Sequence, residues 1–209
     1  MKRPLFLTFE GIDGSGKSTQ LKLLCEKLNH EGLKVYTTFE PTDSPIGSLI
    51  SNIFNHRIEA DHKTIAGLFV ADRLDHLLNK TTGILKKIEE GFTVVSDRYY
   101  LSSYAYQGAH VPLDWVIRAN SLSADLLRPD LHIFIDVTPE TAMHRLNSTR
   151  SNIELFETYE NLNLVRNKYF EVMELLKHEE NIFITDGKRE PQIIARDIWQ
   201  AVSKILMGI

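Results

Sequence analysis

The segment from Gly11 to Ser18 constrains this chain more than any other feature of its sequence. It fits the pattern G-x-x-x-x-G-K-[ST]. An apolar run at 5–9 precedes it, and a segment with apolar residues at helical spacing follows it. A strand, a glycine-rich turn and a helix in this order form a cradle for phosphate groups. The segment therefore predicts a nucleoside-triphosphate site.

Each part of this phosphate loop has a chemical role. Glycines let successive backbone N–H groups converge on phosphate oxygens, and the helix N-terminus adds a favourable dipole. Lys17 supplies a mobile positive charge for the β- and γ-phosphates, and the Ser18 hydroxyl is a magnesium ligand. The residues predicted to bind the nucleotide are Gly11, Asp13, Gly14, Ser15, Gly16, Lys17, Ser18 and Thr19.

Short apolar runs alternate with longer segments of helical period. The runs that predict strands are 5–9, 34–39, 92–96, 131–137 and 181–185. The segments that predict helices are 21–28 with Gly32 as terminator, 46–53, 61–90, 157–177 and a last one that begins at Pro191. Continuous apolar strands separated by helices are typical of a parallel sheet covered on both faces. We therefore expect one α/β domain over residues 1–209, a P-loop NTPase fold with a five-stranded parallel sheet.

Composition narrows the classes of partner. The 209 residues carry 24 basic and 28 acidic side chains, a formal charge of −4, which argues against a nucleic-acid coat. Cys25 is the single cysteine and cannot form an internal disulfide, which favours a reducing compartment. No apolar run approaches the length of a membrane span. We expect a cytoplasmic protein that binds neither nucleic acid nor membrane.

Polar residues follow the predicted strands, where ligands bind in such sheets. Asp97 and Arg98 end the third strand. An acid there could hold magnesium, and the arginine would bring positive charge toward a second anion. A plain surface ion pair is the alternative. The N-K-x-D-type segment expected of a guanine-specific switch protein does not follow a later strand.

Four segments in this order resemble the bacterial and archaeal thymidylate kinase family: FEGIDGSGKST, LFVADR, SDRYYLSSYAYQG and RPDLHIFIDVTPE. The similarity runs from Phe9 to about Asp186. It implies transfer of the ATP γ-phosphoryl group to dTMP, giving dTDP and ADP, with Mg²⁺ as cofactor. It also implies a homodimer, and the apolar stripe at 65–85 could form its interface or belong to the protomer's own core.

The resemblance also implies a role for each matching residue. Asp13 would accept a hydrogen bond from the 3′-hydroxyl of the acceptor nucleotide. The alternative is that Asp13 only favours the turn, because aspartate is common in turns. Phe69 would stack on thymine and Arg73 would donate to its O4, although a lone phenylalanine at helical spacing is more often core. Arg98 would bind the acceptor phosphate. The remaining acceptor-site residues are Glu40, Ser102, Ser103, Tyr106, which would crowd the sugar 2′-position, and Gln107.

Residues 144–156 resemble the mobile lid of the family. Gly14 stands where some members carry a basic residue in the phosphate loop, so the catalytic charge is expected from Arg145 or Arg150; both could also be ordinary helix-surface arginines. Phe39 stands where bacterial members usually have an arginine. One contact to the acceptor phosphate is therefore absent or supplied from elsewhere.

Two other functions remain open at this point. A deoxynucleoside kinase would phosphorylate a hydroxyl and benefit from a carboxylate base, for which Glu10 is the candidate. A nucleotide-dependent switch or partitioning ATPase would transfer phosphate to water. In the favoured interpretation the acceptor phosphate is already anionic, so catalysis is positioning plus charge neutralisation. The groups expected to neutralise charge are Lys17, magnesium held by Ser18 and Asp97, Arg98 and a lid arginine.

Overall fold

Five parallel strands form one sheet in the computed structural model, which describes residues 3–149 and 155–208. The strands are β1 (Phe6–Glu10), β2 (Val35–Phe39), β3 (Thr93–Asp97), β4 (Leu131–Asp136) and β5 (Ile182–Asp186), in the order β2-β3-β1-β4-β5. Each predicted strand is confirmed to within one residue at either end.

The strands are joined through helices. These are α1 (Lys17–His30), α2 (Pro45–Phe54), α3 (His62–Leu78), α4 (Ile84–Glu89), α5 (Tyr100–Tyr106), α6 (Leu113–Leu126), α7 (Pro139–Thr149), α8 (Tyr159–Leu176) and α9 (Pro191–Met207). Gly32 follows the end of α1 with a φ of +80°, and Pro191 stands in the first turn of α9, as predicted. Among the described residues no helix has both the length and the apolarity needed to span a membrane.

The three central strands, β1, β3 and β4, are buried on both faces because their side chains alternate between two cores. In β1, Phe6 joins the core formed with α5, α6 and α8, whereas Leu7 and Phe9 join the core formed with α1 and α9. Phe134 and Ile135 divide in the same way in β4. The prediction of a parallel sheet with helices on both faces is confirmed.

Parallel pairing brings the strand ends to one edge. Phe9 of β1 and Phe39 of β2 both pair in register with Asp97 of β3. The segments that follow these three strands therefore lie side by side, which is why the phosphate loop, Glu40 and Arg98 can contribute to one site.

The prediction of one long helix over 61–90 is wrong. The chain breaks after α3 because the side chain of Asn79 accepts hydrogen bonds from the backbone N–H groups of Thr81 and Thr82, at 3.0 and 3.2 Å. This local turn competes with helix continuation. Three helices that the apolar spacing did not predict, α5, α6 and α7, complete the fold.

Candidate active site

The phosphate loop is packed tightly against the rest of the edge. Gly14 has a φ of +77°, and a Cβ there would lie 2.6 Å from the carbonyl oxygen of Ala142 on α7. A Cβ on Gly11, whose φ is +138°, would lie 2.6 Å from the carbonyl oxygen of Ile135. Glycine is required at both positions, by backbone conformation and by the closeness of neighbouring backbone.

A cavity of about 650 Å³ lies above the loop and is called here the phosphate-loop cavity. Six of the eight predicted nucleotide-binding residues line it: Asp13, Gly14, Gly16, Lys17, Ser18 and Thr19. The carbonyl groups of the other two, Gly11 and Ser15, accept hydrogen bonds from Lys17 and Arg145 respectively. The N-cap of α1 is Gly16, so the N–H groups of the first turn have no side-chain cap.

Lys17 is held at the floor of this cavity. Its Nζ donates to the carbonyl oxygens of Gly11 and Ile12, each at 3.1 Å. Burial and the nearby charge of Arg98 lower its pKa. In the described structure the Lys17 ammonium group donates to neutral carbonyl oxygens. It would bind a phosphate oxygen more strongly than these carbonyls, because a phosphate oxygen is charged.

A second cavity of about 390 Å³ has aromatic walls and is called here the aromatic cavity. Phe54 lies between Phe69 and Phe156, with ring centroids 5.9 and 5.2 Å away. The residues of α5 that line the opposite side are Ser102, Ser103 and Tyr106, followed by Gln107. This cavity suits a flat apolar group with a few polar edges.

The two cavities share a wall. Asp13, Phe39 and Arg98 line both of them. The Arg98 guanidinium forms an ion pair with Asp13 and donates to the Tyr106 hydroxyl at 3.1 Å. Burial alone would raise the pKa of Asp13, but the charges of Arg98 and Lys17 lower it to about 2. Asp13 is therefore ionised, and a charged pair stands where groups in the two cavities would meet.

Comparison with known proteins shows which family this chain is similar to. The family model described as thymidylate kinase matches residues 9–198. A probable thymidylate kinase of Caldivirga maquilingensis is 39% identical over 196 residues, which cover 93% of this chain and 91% of that protein. The chain belongs to the thymidylate kinase family.

Similarity to other thymidylate kinases also spans nearly the whole chain. A probable thymidylate kinase of Pyrococcus horikoshii is 36% identical, with 99% of this chain and all of that protein covered. A thymidylate kinase of Caldicellulosiruptor saccharolyticus is 35% identical, with 96% and 95% covered. The matched residues therefore include all those that line the phosphate-loop cavity and the aromatic cavity.

Two polar atoms in the aromatic cavity of this thymidylate kinase family member stand out. Ser103 Oγ and Gln107 Oε1 are buried and have no hydrogen-bond partner within the described part of the chain. Both side chains line the cavity and lie four residues apart. Because buried polar groups are nearly always paired, these atoms are available to hydrogen-bond with a polar molecule in the cavity.

Neither Arg73 nor Glu40 lines the aromatic cavity, but Glu40 lines the phosphate-loop cavity. The Arg73 guanidinium is buried and donates two hydrogen bonds to Glu40, at 2.9 and 2.6 Å, and one to Asn120. His76 Nδ1 lies 3.0 Å from the other oxygen of Glu40. Burial favours neutral Glu40, but the Arg73 charge keeps its pKa below the ordinary value. The predicted contacts of Arg73 and Glu40 with an acceptor stay predictions.

Asp72, which the sequence left unassigned, fixes the segment after β2. Its carboxylate accepts from the N–H and the hydroxyl of Thr42, at 2.8 and 2.6 Å, and from the Ser44 hydroxyl at 3.1 Å. Ser44 in turn caps α2 by accepting from Gly47 N–H at 3.2 Å. The fixed segment carries Pro41 into the aromatic cavity.

The predicted magnesium ligands lie close together. Ser18 Oγ is 3.4 Å from Asp97 Oδ2. Asp97 Oδ1 is buried and has no hydrogen-bond partner among the described residues. No group of three or more potential ligating histidine, cysteine or acidic side chains occurs in residues 3–149 and 155–208. The donor set therefore fits Mg²⁺, which typically takes one or two protein oxygens and completes its shell with phosphate oxygens and water.

Of the two candidate arginines of the lid segment, Arg145 belongs to the described part of the chain. Arg145 lies on α7 and clamps the phosphate loop, donating to the carbonyls of Gly14 and Ser15 at 3.2 and 3.1 Å and to that of Gly187 at 2.8 Å. It lines the phosphate-loop cavity. Arg150 lies outside the described residues, as do positions 151–154.

Several contributors to the site carry no signal in the sequence. Tyr169 on α8 reaches Ser102 and Glu10, with its hydroxyl 2.8 and 3.1 Å from their oxygens. Other lining residues that the sequence did not single out are Ser51, Phe54, Asn55 and Glu157. The helical spacing around 46–53 predicts a buried face for α2 but does not predict that its C-terminal end lines a cavity.

Proposed function

We propose that this protein transfers the γ-phosphoryl group of ATP to dTMP, giving dTDP and ADP. The observation that carries the proposal is the wall that the two cavities share. One cavity lies over the phosphate loop and the other has aromatic walls, and Asp13, Phe39 and Arg98 line both. Such a junction suits two bound nucleotides whose phosphates meet, and membership of the thymidylate kinase family supports the same pair of substrates.

ATP would occupy the phosphate-loop cavity. Backbone N–H groups at the start of α1 and the Lys17 ammonium group would bind its β- and γ-phosphates. Arg145 would keep the loop in position through its three contacts with backbone carbonyls. These groups are fixed before the nucleotide arrives, so little reorganisation is needed when it binds.

dTMP would occupy the aromatic cavity with its phosphate toward Arg98. Phe69 would stack on the base, and Ser103 and Gln107 would pair with its polar edges, which explains their unpartnered atoms. Tyr106, held by a 2.7 Å hydrogen bond to Asp13, would leave little room beside the sugar 2′-position. Asp13 would accept the hydrogen bond of the 3′-hydroxyl.

Transfer to a phosphate needs no general base, because the attacking oxygen is already anionic at neutral pH. This chain's residues then act by position and charge: Lys17 on the donor, Arg98 on the acceptor and an arginine of the lid segment between them. Glu10, the base candidate for a nucleoside kinase, lines neither cavity and accepts hydrogen bonds from Tyr99, Ser102 and Tyr169. That arrangement favours the phosphate acceptor over the hydroxyl acceptor.

Mg²⁺ is the cofactor that we propose, with Ser18 and Asp97 as its protein ligands, the latter directly or through water. When bound it would neutralise charge on the donor phosphates. The unpartnered Asp97 Oδ1 and its closeness to Ser18 support this assignment.

We also propose that residues 144–156 form a lid within a single domain of residues 1–209, which would close over ATP and exclude water from the reaction. Arg145 or Arg150 would supply its catalytic charge. Phe156, at the end of this segment, lines the aromatic cavity, so closure would affect both substrates.

A homodimer in the cytoplasm is the proposed form of the protein. The stripe at 65–85 is largely internal, since Ile65, Phe69 and Leu77 are buried in the protomer. An apolar face remains exposed on α6, where Trp115, Leu122 and Leu126 share one side of the helix. A second copy covering this face would be seen as a dimer by sedimentation. The single Cys25 supports a reducing compartment.

A panel of acceptors tests the proposed reaction. ADP formation from ATP and magnesium would be followed with dTMP, dUMP, UMP, dCMP, AMP and thymidine. Dependence on dTMP, with no turnover of thymidine, supports the proposal. Turnover of thymidine would indicate a nucleoside kinase, and ATP consumption independent of any acceptor would indicate an ATPase.

A further inference from the structure

Arg98 has a backbone conformation that its residue type rarely adopts. Its φ is +77°, and among the described residues the sole other non-glycine residue with positive φ is His56. For an L-residue other than glycine this region is unfavourable, and it persists where the surroundings hold the backbone in it. Arg98 also lines both cavities. The strain therefore lies at the residue that stands between the proposed substrates.

Three hydrogen bonds fix the peptide groups on either side of Arg98. Its N–H donates to the Phe9 carbonyl at 2.9 Å, and its own carbonyl accepts from Ser96 Oγ at 2.8 Å. The next N–H, that of Tyr99, donates to Glu10 Oε1 at 3.0 Å. Ser96 and Glu10 are both fully buried, so water does not compete for these bonds.

The second oxygen of Glu10 holds the side chain of Arg98 through one intermediate. Glu10 Oε2 accepts from Ser102 Oγ at 2.5 Å and from the Tyr169 hydroxyl at 3.1 Å. Ser102 Oγ accepts from the Arg98 guanidinium at 3.1 Å. One buried carboxyl group thus fixes both the backbone beside Arg98 and the hydroxyl that orients its guanidinium.

We infer that Glu10, together with Ser96, is a positioning residue that holds Arg98 in the left-handed conformation from which it binds the acceptor phosphate. The inference rests on the proposed function, in which Arg98 contacts that phosphate. Glu10 lines neither cavity and touches no substrate site directly. Glu10 acts through Tyr99 and Ser102. The backbone N–H of Tyr99 requires an oxygen of residue 10 that accepts its hydrogen bond, and it does not require that this side chain be negatively charged.

Glu10→Met and Glu10→Gln test this distinction. Methionine keeps most of the side-chain volume but has no oxygen to accept the hydrogen bonds of Tyr99 and Ser102. The KM for dTMP should therefore rise roughly tenfold, with kcat lowered and the KM for ATP unchanged. Glutamine keeps an oxygen that can accept from Tyr99 N–H and should restore dTMP binding to near the wild-type value. Ser96→Ala should raise the KM for dTMP in the same direction, because it removes the other side-chain bond to this backbone.

Glu180→Met is the matched control. Glu180 is also a buried carboxylate, bonded to Tyr100, Arg128 and His132, and it lines neither active-site cavity. It should lower the unfolding temperature without changing either KM. Equal rises in the KM for dTMP in Glu180→Met and Glu10→Met would overturn the inference, because general loosening would then explain both.

Other outcomes are equally decisive. A folded Glu10→Met protein with the wild-type KM for dTMP contradicts the inference, as does a Glu10→Gln protein impaired as strongly as Glu10→Met. If Glu10→Met does not fold, Ser96→Ala decides, and an unchanged KM for dTMP there overturns the proposal. A wild-type protein without dTMP-dependent turnover would instead overturn the proposed function and this inference with it.

Discussion

The guanidinium of Arg98 and the carboxylate of Asp13 form an ion pair in the wall between the phosphate-loop cavity and the aromatic cavity. Both side chains remain partly accessible, with 14% and 28% of their surface exposed. The pair therefore presents charge to both cavities while Tyr106 and Ser102 hold the guanidinium in place, each at 3.1 Å. A substrate phosphate could share Arg98 with Asp13 because a guanidinium has several donors.

Replacement of Arg98 by alanine should remove the main charge for the acceptor phosphate. We expect kcat/KM for dTMP to fall by roughly a hundredfold or more, because a preorganised charged donor at the reacting group is lost. The measurement is steady-state kinetics with each substrate varied in turn. Circular dichroism and thermal unfolding serve as controls for the fold. Near-wild-type activity in a folded Arg98→Ala protein would remove the acceptor-site assignment.

The catalytic arginine of the lid segment can be assigned by comparing Arg145→Ala with Arg150→Ala. We expect at least one of them to lower kcat by roughly a hundredfold, since removing one group that stabilises transition-state charge has an effect of this size. Arg118→Ala is a matched control, because Arg118 is exposed on α6 and pairs with Asp114. Wild-type rates in both lid variants would refute the proposed role of this segment.

The unpartnered atoms of Ser103 and Gln107 should report on recognition of the base. Ser103→Ala and Gln107→Leu are each expected to raise the KM for dTMP by roughly tenfold and to leave the KM for ATP unchanged. Ser121→Ala, an exposed serine on α6, is the control for loss of a hydroxyl. Unchanged discrimination between dTMP and dCMP in both site variants would mean that other groups select the base.

The pH dependence of stability should carry the signature of Glu10. Burial raises the pKa of this carboxyl from 4.5 to about 7 in the folded protein. The folded state therefore binds a proton more tightly than the unfolded state, and the free energy of unfolding falls as the pH rises from about 4.5 to 7. Glu10→Gln lacks this proton, so its stability relative to wild type should increase across that window by up to about 3 kcal/mol.

Urea unfolding of wild type and Glu10→Gln at several pH values between 4.5 and 8 measures this difference. A stability difference that does not change with pH would show that Glu10 has an ordinary pKa in the folded protein. A difference that changes in the opposite direction would show that the carboxylate is stabilised by its neighbours more than it is destabilised by burial.

The sequence predicted the sheet well because buried parallel strands are continuous apolar runs. The segment at 92–96, for example, could be placed without knowing its partners, and β3 occupies 93–97. The break after α3 was missed because it depends on one side chain, that of Asn79, which accepts hydrogen bonds from two nearby N–H groups. Apolar spacing does not record such a local competition.

The phosphate loop could be predicted because its chemistry is local in sequence. The network around Arg98 could not, because its members come from distant segments: Tyr169 is 159 residues from Glu10 and 71 from Arg98. The resemblance supplied candidate roles for Arg73 and Glu40 but not their buried ion pair. Pairings of that kind depend on how α3 packs beside β2, which no single segment specifies.

A bisubstrate analogue, adenosine and thymidine joined 5′ to 5′ by a polyphosphate chain, offers the most direct test that two nucleotides are held with their phosphates facing across Asp13 and Arg98. Inhibition by this compound would be measured against varied ATP and against varied dTMP. Competition with both substrates, and weaker inhibition of Arg98→Ala, is the expected result. Competition with ATP alone would contradict an acceptor site in the aromatic cavity.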